Sequence, residues 1–344
     1  MAVNQQPQAQ QGTDKLGAMH HYVPQGYLKR FATPDKPEQI VAYEADREPY
    51  KTNVHNVAGQ RDFYTYSKVE SGEKDAALED ALADMDAAGA NMLRILDDMP
   101  DGYVELPEEQ KGDLLAYVAF QHTRNLQERK VWATMYEQST EMFMQVAASN
   151  EGTYHKNAQE ALGDKYDMDI VERTRQAFLD GKAGITFDPL DQYFIGTALE
   201  MSRTLYEMLF TMKKMVLVSK TDDADMFVTS DNPVTHYLTD EQKAKRPAFY
   251  GVGYVDAVFQ LPISPTRCLL LINDDMIMET FQYDQDAVNR INFYTYHFAD
   301  RWVFSNVVSD TIKTEFNKFK RREPLTSVSS PFDRARKASE ANKD

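Results

Sequence analysis

Between Ala77 and Asp98 the apolar side chains Leu78, Leu82, Met85, Ala88, Met92 and Leu96 recur every three or four positions. That spacing gathers them on one face of a helix. The helical signal persists across a block of about 73–214. Pro107 followed by Glu108 and Glu109 reads as a second start, because proline fits the first turn and acids favour its positive end. No residue breaks the pattern beyond it, so this helix is expected to run to about Ala148. A polar, weakly periodic stretch predicts a third helix over 156–180. A fourth is expected over roughly 189–213, opening near Asp188-Pro189.

On either side of this block the runs are short. In the first segment, about 19–68, PQGYLKRFA is helix-like with Pro24 in its first turn, QIVAYEA alternates, and DFYTYSK has the aromatic and threonine content of a strand. The last block, about 214–322, carries KMVLVSK, DMFVTSD, AVFQLPIS, CLLLIND and RWVFSN, each bounded by Gly, Pro, Asn or Asp. One helix, DQDAVNRINFYTYHFA, interrupts them. Strands around a long helical insertion predict an α+β fold, a large helical block packed against a mostly antiparallel sheet, rather than a doubly wound nucleotide fold. The polar segments 1–18 and 325–344 read as disordered tails around a single domain of 19–324.

Composition narrows the possible partners. The 344 residues include 38 Lys plus Arg against 54 Asp plus Glu, a formal charge of −16, which opposes broad binding to duplex nucleic acid. The one dense basic run, Lys313–Arg322, is either a solvated face or a local anion contact. The single cysteine, Cys268, sits in an apolar run, so a core position and a reducing, cytoplasmic compartment are expected. No apolar run reaches the roughly 20 residues that a membrane span needs, and residues 1–18 carry no export signal. No Gly-rich phosphate loop is present, so a nucleotide cofactor has no support.

Three islands carry candidate chemistry. The first is His20-His21-Tyr22-Val23-Pro24-Gln25, where neighbouring histidines point in different directions and either one is a general base, a metal ligand or a hydrogen-bonded core residue. In the second, Tyr117, Gln121, Arg124 and Glu128 fall on one helical stripe. A Gln and an Arg one turn apart suit an anion or carboxylate, or else form a structural pair with Asp62 or Asp231. The third, Ser230-Asp231-Asn232-Pro233, follows a strand; it is a turn whose side chains hold backbone amides, or a carboxylate that binds a metal or orients a histidine. Ser230 lacks the Gly-x-Ser-x-Gly elbow of a nucleophile.

The seven histidines match no compact metal motif, so a divalent-metal site would have to be assembled from distant segments. His122 and His236 are read as surface or supporting residues.

These islands, with Asp62-Phe63-Tyr64, Phe120-Gln121-His122-Thr123-Arg124, Leu261-Pro262-Ile263-Ser264-Pro265 and the Asn289/Asn292 helix leading to Val303-Phe304-Ser305, resemble the family catalogued as domain of unknown function 4238. The resemblance covers about residues 19–306 and brings no particular activity with it. The residues themselves suggest a hydrolase acting on a phosphodiester or other anionic substrate, a nuclease being one version. His20, His21 and Asp231 would be catalytic, and Gln121, Arg124, Asn232 and Tyr64 would bind substrate. The alternative is a non-catalytic binding or assembly module in which the same islands form a structural network.

Overall fold

The computed structural model describes residues 19–61, 63, 66–67, 74–75, 77–184, 191–238, 257–273 and 275–320. Asp62, Tyr64, the Asp188-Pro189 helix start, the ends at 1–18 and 325–344, and Arg321 and Arg322 lie outside the described residues. What is described is a mixed α+β fold with long helices and mostly antiparallel sheets. Its contacts sort into two compact units, one within 1–128 and 190–322 and the other within 129–189.

In the first unit the larger sheet centres on β8 (Lys213–Lys220), antiparallel to β12 (Arg267–Asn273), which pairs with β11 (Val258–Ser264) and through it with β10 (Thr235–Tyr237). The short β7 (Gly102–Val104) pairs antiparallel and β13 (Gln282–Tyr283) parallel with β8. Both faces of this sheet are covered. Met215, Leu217, Phe259, Leu261, Leu269 and Leu271 join the core built with the helices α2 (Ala77–Asp97), α3 (Glu108–Thr123) and α7 (Asp191–Met212). Val216, Val218, Val258, Cys268, Leu270 and Ile272 face Val288 and Ile291 of α8 (Gln285–Phe298). Burial on both faces explains why these strands read as unbroken apolar runs. It also pushes the Cys268 thiol well up from its ordinary value, so this cysteine is a core residue.

A second antiparallel sheet runs β3 (Tyr50–Asn53), β2 (Gln39–Glu44), β14 (Trp302–Ser305) and β9 (Thr229–Ser230). A two-stranded ribbon joins β1 (Met19–His21) to β4 (Gly59–Arg61), and another pairs β5 (Tyr66–Ser67) with β6 (Lys74–Asp75). The apolar stripe of α2, with Leu82, Met92, Leu93 and Leu96 buried, lies in the core it shares with α3. At Gly89 a Cβ atom would fall 2.1 Å from the ring of Tyr117 on α3, so this helix pair approaches as closely as it does only because the residue is glycine.

Two helical expectations are corrected. The helix expected from Pro107 to Ala148 is two helices, α3 and α4 (Leu126–Ala148). Asn125 breaks it: its Nδ2 donates to the His122 carbonyl at 2.6 Å, while its Oδ1 accepts the Glu128 N–H at 2.9 Å and caps the second helix. In the second unit the helix expected over 156–180 is also divided, into α5 (Glu151–Leu162) and α6 (Met168–Leu179). Gly163, with φ of +50°, turns the chain, and the Asp167 side chain accepts the Ile170 N–H to start α6. Of the surface and supporting readings of His122 and His236 the supporting one holds for His122, which is buried, while His236 is half-buried. His122 donates from Nδ1 to the Val234 carbonyl at 3.0 Å, and burial brings the His236 pKa down to about 3.

Candidate functional site

The N-terminal island opens on one wall of a cavity of about 450 Å³ in the first unit, lined by His20, His21, Gln25, Arg30, Asp86 and Tyr117 among others. Strand β1 sets the two histidines through its register with β4, His20 opposite Gln60 and His21 opposite Gly59. Pro24 then starts α1 (Gln25–Leu28), which brings Gln25 back over His21. That helix is pinned from beneath. The Tyr27 hydroxyl donates to the Pro262 carbonyl at 2.6 Å and lies 2.8 Å from Thr229 Oγ1, which ties the opening motif to β11 and β9.

Hydrogen bonding fixes the tautomer of His21. Its Nε2 lies 3.0 Å from the His55 carbonyl, which can only accept, so Nε2 carries the hydrogen and Nδ1 the lone pair. The Gln25 amide nitrogen lies 3.3 Å from that Nδ1 and 3.4 Å from His55 Nδ1, long contacts for hydrogen bonds. Burial lowers the pKa of His21, the bond to the His55 carbonyl raises it, and the nearby His55 and His20 lower it again. The net shift is downward, so the imidazole is neutral at pH 7. His55, in the short helical turn Val54–Asn56, and Asp86 on α2 were missed in the sequence reading. Neither belongs to a motif, and both reach the site only through tertiary packing.

Asp86 is the acidic group of this cavity, and it is held from behind. Arg124 grips it with two bonds, Nη2 to Oδ1 at 2.6 Å and Nη1 to Oδ2 at 3.2 Å. The same guanidinium donates twice to Gln121 Oε1, at 3.2 and 2.6 Å, and sits over the Phe120 ring. Gln121 in turn donates to the Tyr22 carbonyl at 3.0 Å. Arg124 is 1% exposed and Gln121 0%, and neither lines the cavity. Their stripe faces the protein interior.

Asp231 and Asn232 stand elsewhere. The Asp231 carboxylate accepts the backbone N–H groups of Asp300, Arg301 and Trp302 at 2.8, 2.7 and 3.0 Å, closing the turn between α8 and β14. Burial, with Asp300 beside it, pushes its pKa up to about 6 despite those three donors. Asn232 accepts from Asn125 Nδ2 at 3.1 Å and donates to the Phe298 carbonyl at 3.3 Å, joining the α3–α4 break to the end of α8. Neither residue lines the histidine cavity. Tyr64 lies outside the described residues.

The second unit holds a group of side chains that could coordinate a divalent metal. Glu151, His155 and Glu172 offer ligand atoms within 4.8 Å of one another. The cluster is internally bonded: His155 lies 2.8 Å from both Glu172 and the Tyr166 hydroxyl, and Arg175 clamps Glu172 at 2.7 and 2.8 Å. Arg175 first and His155 second pull the Glu172 carboxyl down to about 2. A metal would have to compete with Arg175 for that carboxylate.

The molecule is thus an α+β protein with a histidine-lined cavity behind its N-terminal ribbon. Residues 19–308 match the family described as "Protein of unknown function (DUF4238)", and the chain belongs to that family. No curated protein and no solved structure matches it. No helix among the described residues is long and apolar enough to cross a membrane.

Proposed function

We propose that the chain is a hydrolase of a small anionic substrate, a phosphodiester, with its site in the cavity lined by His20 and His21. One observation carries this reading: His21 presents a neutral imidazole to the cavity, oriented through its other nitrogen by the His55 carbonyl. A neutral ring anchored through Nε2 suits general-base catalysis, and water or substrate would reach its Nδ1 by displacing the Gln25 amide, which lies 3.3 Å away. In the reaction His21 Nδ1 takes a proton from water as the water oxygen attacks phosphorus. The bond to the leaving alkoxide breaks, the alkoxide takes a proton from a solvent water, and His21 returns its proton to the hydroxide so formed, so that water has added across the P–O bond. Arg30, which lines the same cavity, is already paired with Asp97 through Nη2 and donates from Nε to the Ile263 carbonyl, so it would offset charge growing on the phosphoryl oxygens through its remaining N–H groups. A divalent metal is part of the proposal only as an accessory. With a formal charge of −16, a nuclease version would act on short single-stranded or flipped substrate rather than on duplex. The lone cysteine suits a reducing compartment, and the cytoplasm is the proposed location.

A second reading, a non-catalytic binding or assembly module, is favoured by the closed bonding of Gln121, Arg124, Asp231 and Asn232. In either reading these four act by positioning. The test is turnover of bis(p-nitrophenyl) phosphate, with and without added Mn²⁺ or Mg²⁺, across pH 4–9. The hydrolase reading expects a rate that rises with pH through a midpoint below 6.5, the ordinary histidine value, and is lost in His21→Ala. Absence of turnover under every condition, with phosphodiesters still binding, would leave the module.

A further inference from the structure

A second cavity, of about 550 Å³, lies in the first unit between the loop at 224–226, α8 and α9 (Asp310–Lys320). It is independent of the histidine site, and no function discussed so far uses it. Its charged lining residues are Asp225 and Glu315, and no Lys, Arg or His is among the described residues that line it. Its apolar wall is aromatic. Phe293 and Phe319 meet edge to face with centroids 4.8 Å apart, and Tyr296 lies 6.1 Å from Phe319. Phe293 is 40% exposed; its ring lies parallel to that of His297 at 6.2 Å and edge-on to Tyr294 at 5.1 Å, and His297 itself does not line the cleft.

The loop carrying Asp225 is held in place. Asn292 accepts the Val228 N–H at 3.0 Å and donates to the Met226 carbonyl at 2.9 Å, and Gln285 donates to Asp225 at 3.1 Å. This gives the Asn289/Asn292 helix of the sequence reading a physical role: it fixes a carboxylate at the rim of an aromatic cleft. Glu315 is paired with Lys318, so Asp225 is the carboxylate with no basic partner at this rim. Ring faces carry negative potential and attract cations, and a carboxylate beside them adds to the attraction. An inorganic anion would meet two carboxylates and no cation within the lining.

We propose that this cleft binds a small organic cation of the alkylammonium class, its apolar groups against Phe293, Tyr296 and Phe319 and its charge offset by Asp225. The volume falls in the range of small-molecule sites. The acidic character of the whole chain raises the local concentration of such a ligand.

The test uses the full chain, titrated calorimetrically with tetramethylammonium chloride and, separately, with tert-butanol as the uncharged shape analogue, at 150 mM NaCl. Saturable binding of tetramethylammonium is expected, weakened at least tenfold by Phe293→Ala and several-fold by Asp225→Asn, with no matching signal from tert-butanol. Both substitutions fall on exposed positions, and melting curves identify any variant that fails to fold. Tyr296→Leu is the replacement if Phe293→Ala does. Equal binding by wild type and the folded variants would overturn the proposal by reducing the effect to general acidity. Equal binding of tert-butanol would overturn it by making the cleft merely apolar, and so would the absence of any saturable signal.

Discussion

Arg124 illustrates how far a residue pattern reaches. Its spacing from Tyr117 and Gln121 reveals a shared helical stripe, but spacing says nothing about what covers that stripe. The covering partner, Asp86, lies 38 positions away and leaves no local signal. Removing the guanidinium strands a carboxylate and an amide oxygen, so Arg124→Ala should lower stability by about 2–4 kcal/mol, the smaller end applying because Asp86 is a quarter exposed. Denaturant unfolding measures this, and Arg124→Lys, which cannot make the paired bonds, should recover only part of the loss. Asp231 makes a sharper case. Its folded pKa of about 6 stands above the ordinary 3.8, so the folded chain binds this proton more tightly than the unfolded chain does. The stability it contributes is therefore full below about pH 4 and is lost as pH rises through 6. A carbon-13 titration should show one aspartate with a midpoint near 6 that disappears in Asp231→Asn; a midpoint near 4 would contradict the burial argument.

At the level of elements, most of the fold is legible in the sequence because periodicity is local. The stripe of α2, the strands β8, β11, β12 and β14, and the helix α8 all lie where their apolar patterns place them. The break between α3 and α4 was not legible from Gly or Pro. Asn125 with Glu128 three residues on forms a helix start that the sequence analysis did not single out, because the apolar pattern runs on through it. Asn125→Ala should cost about 1 kcal/mol for the lost cap, and more if the tie to Asn232 is also broken. Close helix approach is likewise invisible before packing is known. Gly89→Ala would gain up to about 1 kcal/mol in helix propensity yet press a methyl group into the Tyr117 ring. The net effect expected is a loss of about 1–3 kcal/mol, with a distorted cavity wall, since Tyr117 lines the histidine site. A melting temperature at or above wild type would show that the two helices part easily.

Over the whole molecule the sequence islands divide by what they do. Gln121, Arg124, Asp231 and Asn232 join helices, strands and turns of the first unit, whereas His20 and His21 alone among the described candidates open on a cavity. Sequence reading found the residues but could not sort them, because a buried network and an exposed site draw on the same polar side chains. The central claim is that chemistry belongs to His21 and architecture to Arg124. It is tested most directly by measuring phosphodiester turnover and melting temperature side by side for His21→Ala and Arg124→Ala. His21→Ala should lose about 100-fold or more in kcat and melt only a few degrees below wild type, the half-buried ring giving up its bond to the His55 carbonyl. Arg124→Ala should melt lower still, with its folded fraction keeping most of its rate. Full activity in His21→Ala, or a rate lost in Arg124→Ala with its stability unchanged, would contradict that division.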